Sequence, residues 1–221
     1  MNKIKEFILK KIIVDVGAEG FPYGCYGDVT NVLNESVFNE WVSGDREIYL
    51  FECYQESFLK LKEKYDNFDN IFIYDTALSN YSGSAVFYKT QKKQCSSLLK
   101  PNKKILHNRK DITNHSTTEV KVDTLDNVLG HLSHIDYLKL DTQGSEYEIL
   151  LGAKELLKVT DKIKCEVEFT EWYEGQKLEK DIIELLSDYG FKEISRKKFN
   201  KSCCDIFFEK IKLEENGENN I

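Results

Sequence analysis

The stretch IDYLKLDTQGSEYEILLGA, residues 135–153, predicts a buried strand that leads into a helix. Its first part, Ile135–Leu140, is nearly all apolar, as expected of a strand that is covered on both faces. The apolar residues that follow have the spacing of one helix face. A strand that feeds a helix is the repeating unit of a parallel sheet. The helical face consists of Ile149, Leu150, Ala153, Leu156 and Leu157.

The chain repeats this alternation on both sides of that stretch. Helices are predicted over residues 28–41, around Phe58, Leu61 and Tyr65, and over residues 178–189. Two final strands have no helix between them and must form an antiparallel hairpin. The pattern predicts an α/β, Rossmann-like fold whose seven-stranded sheet is mostly parallel and ends in a C-terminal antiparallel hairpin. Its strands are Lys11–Val16, 47–51, Ile71–Tyr74, Ile135–Leu140, 164–169, 191–197 and 205–209, and residues 84–88 resemble a further hairpin arm.

One domain accounts for the length of 221 residues. We predict a single domain over residues 1–210, with a basic irregular insertion at 89–117 and an acidic flexible tail at 211–221. The sequence has no secretory signal pattern and no apolar run of about 18 residues, which predicts a soluble cytoplasmic protein without a membrane span. The six cysteines form no C-x-x-C pair, which is typical of reduced thiols.

The net charge of −7 hides an asymmetry. Residues 76–110 contain no Asp or Glu and carry eight Lys and Arg residues, so this segment contributes +8 and the remainder −15. The overall charge argues against a dedicated nucleic-acid binder. The segment itself is either a solvated loop or a site that attracts an acidic acceptor.

Acidic residues lie at the carboxyl ends of four of the predicted strands, at Asp15, Glu52, Asp75 and Asp141. In an open parallel sheet the ligand lies beyond these carboxyl ends. The glycines after the first strand do not form the G-x-G-x-x-G pattern, which disfavours a dinucleotide. Glu52 is placed to accept hydrogen bonds from ribose hydroxyls and would repel a phosphate. A nucleoside without phosphates, such as S-adenosyl-L-methionine, fits this arrangement.

Seven segments resemble, in order, those of the FkbM-family S-adenosylmethionine-dependent methyltransferases. The resemblance covers nearly the whole chain, and LKLDTQGSEYEILLGA at 138–153 is its most specific part. The segments are VDVGAEG at 14–20, YLFECYQESFLKL at 49–61, TALSNYSG at 76–83, VKVDTLD at 120–126, IDYLKLDTQGSEYEILLGA at 135–153, EVEFTEWYEGQ at 166–176 and DIFFE at 205–209.

The resemblance implies a class I methyltransferase fold and transfer of a methyl group to a hydroxyl of a sugar or a natural product. It also implies a cofactor site. Two positions depart from the family pattern: Glu19 stands where the family commonly has Asn, and Gln143 stands where many members have Glu. The implied cofactor residues are Asp15, Gly17, Ala18 and Gly20 at the methionine portion, Glu52 at the ribose, Asp75, Thr76, Ala77 and Leu78 at the adenine, and Asp141 beside the acceptor.

Methyl transfer to a hydroxyl requires alignment of the acceptor and removal of a proton. Asp141 is the first candidate to orient the acceptor or act as general base, with Glu168 and Glu146 behind it. Lys139 shares a strand face with Asp141 and cannot stay charged and unpaired when buried. We expect it to bond Asp15, Glu166 or Glu168. Nothing in the spacing requires a metal.

The acceptor is predicted to be a saccharide, a nucleotide-sugar or a small molecule, an acidic one included. Ser96 and Ser97 resemble a serine pair of the family, and Trp172 and Tyr173 would either stack on a sugar or pack in the core. Two rival functions stay open: a protein or RNA methyltransferase that uses the basic loop at 89–110, and a catalytically silent binding protein. A homo-oligomer is compatible with the sequence, whereas nucleic acid is a disfavoured partner.

Overall fold

The computed structural model describes residues 10–22 and 45–211. The helix predicted over residues 28–41 and the tail beyond residue 211 lie outside these ranges. Within them, no helix is long and apolar enough to cross a membrane. The five cysteines of these ranges form no disulfide with one another.

Seven of the described strands form one sheet in the order β3-β2-β1-β7-β8-β10-β9. The pairs from β3 through β8 are parallel, and β10 is antiparallel to both β8 and β9. The predicted mostly parallel sheet with a C-terminal antiparallel hairpin is therefore confirmed. The strands are β1 Lys11–Val16, β2 Arg46–Phe51, β3 Ile71–Tyr74, β4 Ala77–Leu78, β5 Gly83–Thr90, β6 His115–Asp123, β7 Ile135–Leu140, β8 Thr160–Glu168, β9 Phe191–Lys198 and β10 Cys203–Lys210.

A second, three-stranded sheet has the order β4-β6-β5 and was not predicted. Its strands take up both ends of the stretch predicted to be irregular, at 89–90 and 115–117. Between them lie only a 3-10 turn at Lys93–Cys95 and a helical turn at Lys110–Thr113. The sequence pattern missed β6 because eight of its nine side chains are not buried, so it has no apolar run.

Five α-helices are described: α1 Gln55–Tyr65, α2 Lys110–Thr113, α3 Leu125–Leu129, α4 Glu146–Leu151 and α5 Glu179–Asp188. Helix α4 is shorter than predicted. Its last helical hydrogen bonds are donated by the Gly152 N–H to Glu148 O and Ile149 O. Beyond Gly152, the Asp126 carboxylate accepts hydrogen bonds from the backbone N–H groups of Glu155 and Leu156. This carboxylate holds a separate 3-10 turn at Leu156–Val159, so the predicted apolar face is buried but does not form one continuous helix.

The core lies on both faces of the large sheet. Alternating residues of β1 point to opposite sides, with Val14 packed in the cluster under α4 and α5 and Ile13 in the cluster under α1. Both faces are thereby covered with apolar side chains. A polar ligand can therefore reach the sheet only where the apolar cover stops. The carboxyl ends of β1, β2, β3 and β7 lie side by side at one such place.

Candidate functional site

A cavity of about 230 Å³ opens at the carboxyl ends of the parallel strands. It is lined by the residues that follow β1, β2 and β7, by β4, and by part of the basic segment. Most of the residues predicted to hold the cofactor are among them. The predicted residues on its wall are Gly17, Gly20, Glu52, Thr76, Ala77, Leu78, Ser96 and Asp141.

The turn after β1 passes directly against the backbone that follows β7. Gly17 has a φ of 78°, and a Cβ atom built on it would lie 1.9 Å from the carbonyl oxygen of Asp141. The Gly17 N–H donates to Phe51 O at 3.0 Å, and the Asp141 N–H donates to Val16 O at 3.1 Å. Only glycine fits here, because a side chain would overlap the Asp141 backbone, and Gly17 itself lines the cavity.

Glu52 brings a largely buried carboxyl group to the cavity wall. Its Oε1 accepts a hydrogen bond from the Tyr54 backbone N–H at 2.7 Å. Burial, followed by the negative charges of Glu19 and Asp15, raises the pKa of Glu52 to about 7. This carboxyl group therefore changes its charge near neutral pH.

Lys139 and Asp15 form a buried ion pair on neighbouring strands. The Lys139 Nζ lies 2.8 Å from Asp15 Oδ1, and it also donates to Gly17 O at 3.3 Å. The predicted bond between Lys139 and one of three acids is confirmed, with Asp15 as the partner. Asp15 is fully buried and does not line the cavity. The ion pair therefore supports the site indirectly, through the Lys139 hydrogen bond to Gly17 O.

Asp141, Gln143 and Glu166 form a hydrogen-bonded group at the cavity. The Gln143 Nε2 donates to Glu166 Oε2 at 2.6 Å and to Asp141 Oδ1 at 3.2 Å. Burial, together with the negative charges of Asp141 and nearby glutamates, raises the pKa of Glu166 to about 10. Burial also acts on Asp141, but the Lys139 and Lys164 charges, together with hydrogen bonds from Glu166 and Gln143, outweigh it and lower the pKa of Asp141. At neutral pH Asp141 is ionised and Glu166 holds a proton.

Gln143 was noted in the sequence only as a departure from the family, and the structure places it on the cavity wall. Its φ of 60° is a conformation that residues other than glycine rarely adopt. Such a backbone persists only where the surrounding structure enforces it, and such positions cluster at functional sites. No signal in the residue types pointed to Gln143, because glutamine is not a residue that favours the left-handed conformation.

Glu146 and Glu168, the other predicted catalytic acids, do not line the cavity. Glu146 accepts hydrogen bonds from the backbone N–H groups of Thr142 and Gly144, at 2.6 and 2.9 Å, and so shapes the turn after β7. Glu168 accepts one from Gln176 Nε2 at 2.5 Å. Burial is the main cause that raises the pKa of Glu146 to about 7 and that of Glu168 to about 9.

The residues predicted to contact the acceptor are divided between the cavity and the core. Ser96 lines the cavity, whereas Ser97 is buried and its Oγ accepts a hydrogen bond from the Leu99 N–H. Tyr173 is fully buried and its hydroxyl donates to Cys95 O at 2.9 Å, so its ring is not available to stack on a sugar. Trp172 packs against the small core cluster that contains Cys95.

Three further side chains of the basic segment line the cavity, Lys93, Gln94 and Leu98, and the sequence did not single them out for this role. Two predicted cofactor residues lie elsewhere. Ala18 is fully buried, and Asp75 lines a neighbouring cavity together with Lys89. The cofactor roles assigned to these two residues stay predictions.

The sequence matches the family model described as Methyltransferase FkbM domain over residues 15–193. The chain belongs to the FkbM methyltransferase family. Membership confirms the predicted family, the predicted enzyme class of methyltransferases and S-adenosylmethionine as the cofactor. No curated protein matches the sequence.

Solved structures agree with the fold of an FkbM methyltransferase. The FkbM methyltransferase from Methylobacillus flagellatus KT aligns with a TM-score of 0.53 and 11% identity over 89% of this chain and 43% of that protein. This chain thus spans less than half of that protein's length. The class I methyltransferase fold is confirmed by this match.

Two further solved structures are similar at lower TM-scores. Magnesium protoporphyrin IX methyltransferase from Synechocystis PCC 6803 aligns at 0.45, with 12% identity over 92% of this chain and 72% of that one. Fibrillarin from Aeropyrum pernix, solved with S-adenosylmethionine, aligns at 0.46, with 13% identity over 90% and 66%.

The cavity of this FkbM family member fits S-adenosylmethionine by the chemistry of its walls. Gly17 and Gly20 line the cavity with backbone, no atom of the described residues lies within 4 Å of a Cβ position at Gly20, and Glu52 offers a carboxylate to ribose hydroxyls. Phe51, Leu78 and Phe87 supply an apolar wall suited to a base. The acids on the wall suit a cationic sulfonium and disfavour phosphate.

Proposed function

We propose that this protein transfers a methyl group from S-adenosylmethionine to a hydroxyl of a saccharide or a small natural product, in the cytoplasm, as the single domain over residues 1–210. The observation that carries the proposal is the ionised Asp141 on the cavity wall, about a third exposed, with Gln143 and the protonated Glu166 beside it. When bound, the cofactor supplies an electrophilic methyl group. The residues of the chain then have to bind the cofactor, orient the acceptor hydroxyl and remove its proton.

Glu52 and the Gly17 turn would hold the cofactor. The Glu52 carboxylate accepts hydrogen bonds from the ribose hydroxyls, and the backbone at Gly17 approaches the amino-acid portion closely. The buried Lys139–Asp15 pair fixes this turn, because Lys139 Nζ also donates to Gly17 O. Preorganised backbone groups of this kind need no rearrangement when the ligand binds.

Asp141 is the group that would accept the proton of the acceptor hydroxyl. The Lys139 Nζ, 3.7 Å from Asp141 Oδ2, favours the ionised form of this carboxylate. Gln143 Nε2 donates to the other carboxylate oxygen, Oδ1, and so holds its orientation. A hydroxyl that donates to Asp141 is oriented with its lone pairs toward the methyl group. The proton would pass to the carboxylate as the hydroxyl oxygen bonds to the methyl carbon, and the methyl–sulfur bond would break with its electron pair left on sulfur as neutral S-adenosylhomocysteine.

The basic segment gives limited support to an acidic acceptor. Three of its eight cations are already paired with carboxylates: Lys93 with Glu56, Lys100 with Glu174 and Arg109 with Asp111. Ion pairs that are this exposed contribute little free energy and still reduce the local field. The acceptor class is therefore better inferred from the cavity walls than from this charge.

The test is methyl transfer from labelled S-adenosylmethionine to a panel of glycosides, nucleotide-sugars and hydroxylated metabolites, after thermal-shift titration with S-adenosylhomocysteine. Asp141→Asn should lower kcat by about 10²–10⁴-fold and change the affinity for S-adenosylhomocysteine less than about threefold. The matched control is Asp161→Asn, at the opposite end of the sheet, which should behave like the wild type. Failure to bind S-adenosylhomocysteine would overturn the proposal, and full activity of Asp141→Asn would remove Asp141 from the mechanism.

A further inference from the structure

Acids outnumber cations on the wall of the cofactor cavity. Among the residues that the structure describes, its charged side chains are the acids Glu19, Glu52 and Asp141 and a single cation, Lys93. The wall therefore carries a net negative charge when Glu52 is ionised. A cavity of about 230 Å³ is small, so a bound ion lies in the field of all four groups.

Glu19 and Glu52 are both tied to the start of helix α1. Glu19 Oε1 accepts a hydrogen bond from the hydroxyl of Ser57, a buried residue in the first turn of α1, at 3.1 Å. Glu52 Oε1 accepts one from the backbone N–H of Tyr54, the residue just before α1, at 2.7 Å. After burial, the charge of Glu19 contributes most to the raised pKa of Glu52. The two carboxylates are thus held close together on one side of the cavity.

The three acids of the wall differ in what offsets their charge. Asp141 has the ammonium group of Lys139 at 3.7 Å. Glu52 has a pKa of about 7, and its oxygens are the acceptors offered to the ribose hydroxyls. The exposed Glu19 carboxylate is bound by the neutral Ser57 hydroxyl and, within the described ranges, by no Lys or Arg. Its charge is therefore the one on the wall that is free to act on a bound cation.

Lys93 opposes the acids, but its ammonium group is engaged by other residues. It forms an ion pair with Glu56 in the first turn of α1, and its Nζ lies 5.4 Å from the centroid of the Tyr54 ring. The Glu56 charge cancels part of the field that Lys93 produces in the cavity. Lys93 therefore reduces the effect of Glu19 without abolishing it, and the two side chains act on a bound cation with opposite signs.

We propose that Glu19 is a specificity-determining residue that favours the cationic S-adenosylmethionine over its neutral product, S-adenosylhomocysteine. The proposal rests on the methyltransferase function above and concerns the exchange of product for cofactor. The two ligands differ only in the methyl group and the positive charge on sulfur. The Glu19 carboxylate attracts the sulfonium, and that attraction ends when the methyl group leaves. The charge on the wall thereby promotes release of the product and limits its inhibition of the enzyme.

The experiment is calorimetric titration of the full chain with S-adenosylmethionine, S-adenosylhomocysteine and sinefungin, in which an amine-bearing carbon replaces the methylated sulfur. A buffer of about pH 8 keeps Glu52 ionised. Glu19→Gln retains the size of the side chain and removes its charge. It should lower the ratio of S-adenosylmethionine affinity to S-adenosylhomocysteine affinity by about threefold or more, and weaken sinefungin in parallel. Lys93→Met should raise the same ratio by about twofold or more. The matched control, Glu184→Gln, replaces an exposed acid of α5 that does not line the cavity, and should leave the ratio unchanged.

The ratio separates an electrostatic role of Glu19 from a structural one. A distorted cavity would weaken all three ligands together, whereas loss of a charge changes the cationic ligands and spares the neutral one. Added salt of about 0.5 M should lower the ratio in the wild type and change it less in Glu19→Gln. Failure of the wild type to bind S-adenosylhomocysteine would refute the methyltransferase proposal itself. With that binding intact, the proposal for Glu19 alone is refuted if Glu19→Gln keeps the wild-type ratio or if Lys93→Met lowers it.

Discussion

The affinity of the protein for the nucleoside half of its cofactor should fall as the pH falls through neutrality. The group responsible is Glu52, whose pKa is raised to about 7 by burial and by the nearby charges of Glu19 and Asp15. An ionised carboxylate accepts hydrogen bonds on both oxygens, whereas a protonated one must also place a proton. Two ribose hydroxyls that donate to Glu52 therefore favour its ionised form, and binding lowers its pKa.

The magnitude follows from the fraction of protein that is ionised before binding. With a pKa of about 7, about one molecule in eleven carries the charge at about pH 6 and about ten in eleven at about pH 8. A ligand that requires the ionised form should bind about tenfold more weakly at the lower pH, a difference of about 1.4 kcal/mol. Glu52→Gln should bind weakly at both pH values and show no such dependence.

The assay is calorimetric titration with 5′-methylthioadenosine, which has the adenine and ribose of the cofactor but no amino-acid group that ionises near neutrality. Its 2′,3′-dideoxy analogue, which cannot donate to Glu52, should bind weakly at every pH. Glu146 has a pKa of about 7 as well, so it is the competing explanation. An affinity that is constant with pH would refute the reasoning, and so would a dependence that survives in Glu52→Gln.

Three further variants test the supports of the site. Gly17→Ala should abolish S-adenosylhomocysteine binding in calorimetry and destabilise the protein by more than about 1 kcal/mol, because its Cβ would overlap Asp141 O; wild-type affinity would contradict this. Glu166→Gln should raise the free energy of unfolding in urea by about 1 kcal/mol or more at about pH 8 and have little effect at about pH 5. The sign follows because a raised folded-state pKa makes the native state less stable as the pH rises above the unfolded value; equal gains at both pH values would count against it. Lys139→Met should cost about 3–5 kcal/mol in urea unfolding, since it removes the cation paired with the buried Asp15, and Asp15→Leu in the same chain should restore much of the loss; a mild single-variant effect would show that the pair is not critical.

The large sheet was predictable because buried parallel strands consist of runs of apolar residues. Ile135–Leu140 and Lys11–Val16 are both covered by helices, so the chain cannot place polar residues there without a specific pairing. The small sheet was not predictable for the opposite reason. Strand β6 buries only one of its nine side chains and depends on pairing with β5, a contact that no local pattern records.

The location of the site was predictable, whereas the roles of its residues depended on side-chain pairing. Strand order alone places the acids at the carboxyl ends of β1, β2 and β7 close to one another. The sequence does not say which acid faces the ligand. Asp15 is buried because it pairs with Lys139, and Tyr173 is buried because its hydroxyl donates to Cys95 O. In both cases the polar atom is satisfied inside the protein. The placement of Gln143 rests on a left-handed backbone, which side-chain type does not predict.

The acids around Asp141 act on its charge as a group. Glu146, Glu166 and Glu168 are too close and too buried to ionise together, so each resists the loss of its proton and the pKa of each is raised. The two lysines nearby favour charge on Asp141 instead, the member of the group on the cavity wall. Asp141 therefore keeps its charge throughout the range in which Glu52 titrates. It follows that pH near neutrality should change the KM for the cofactor far more than kcat at saturating cofactor. A kcat that falls together with the ionisation of Glu52 would show that the two ends of the cavity are not independent.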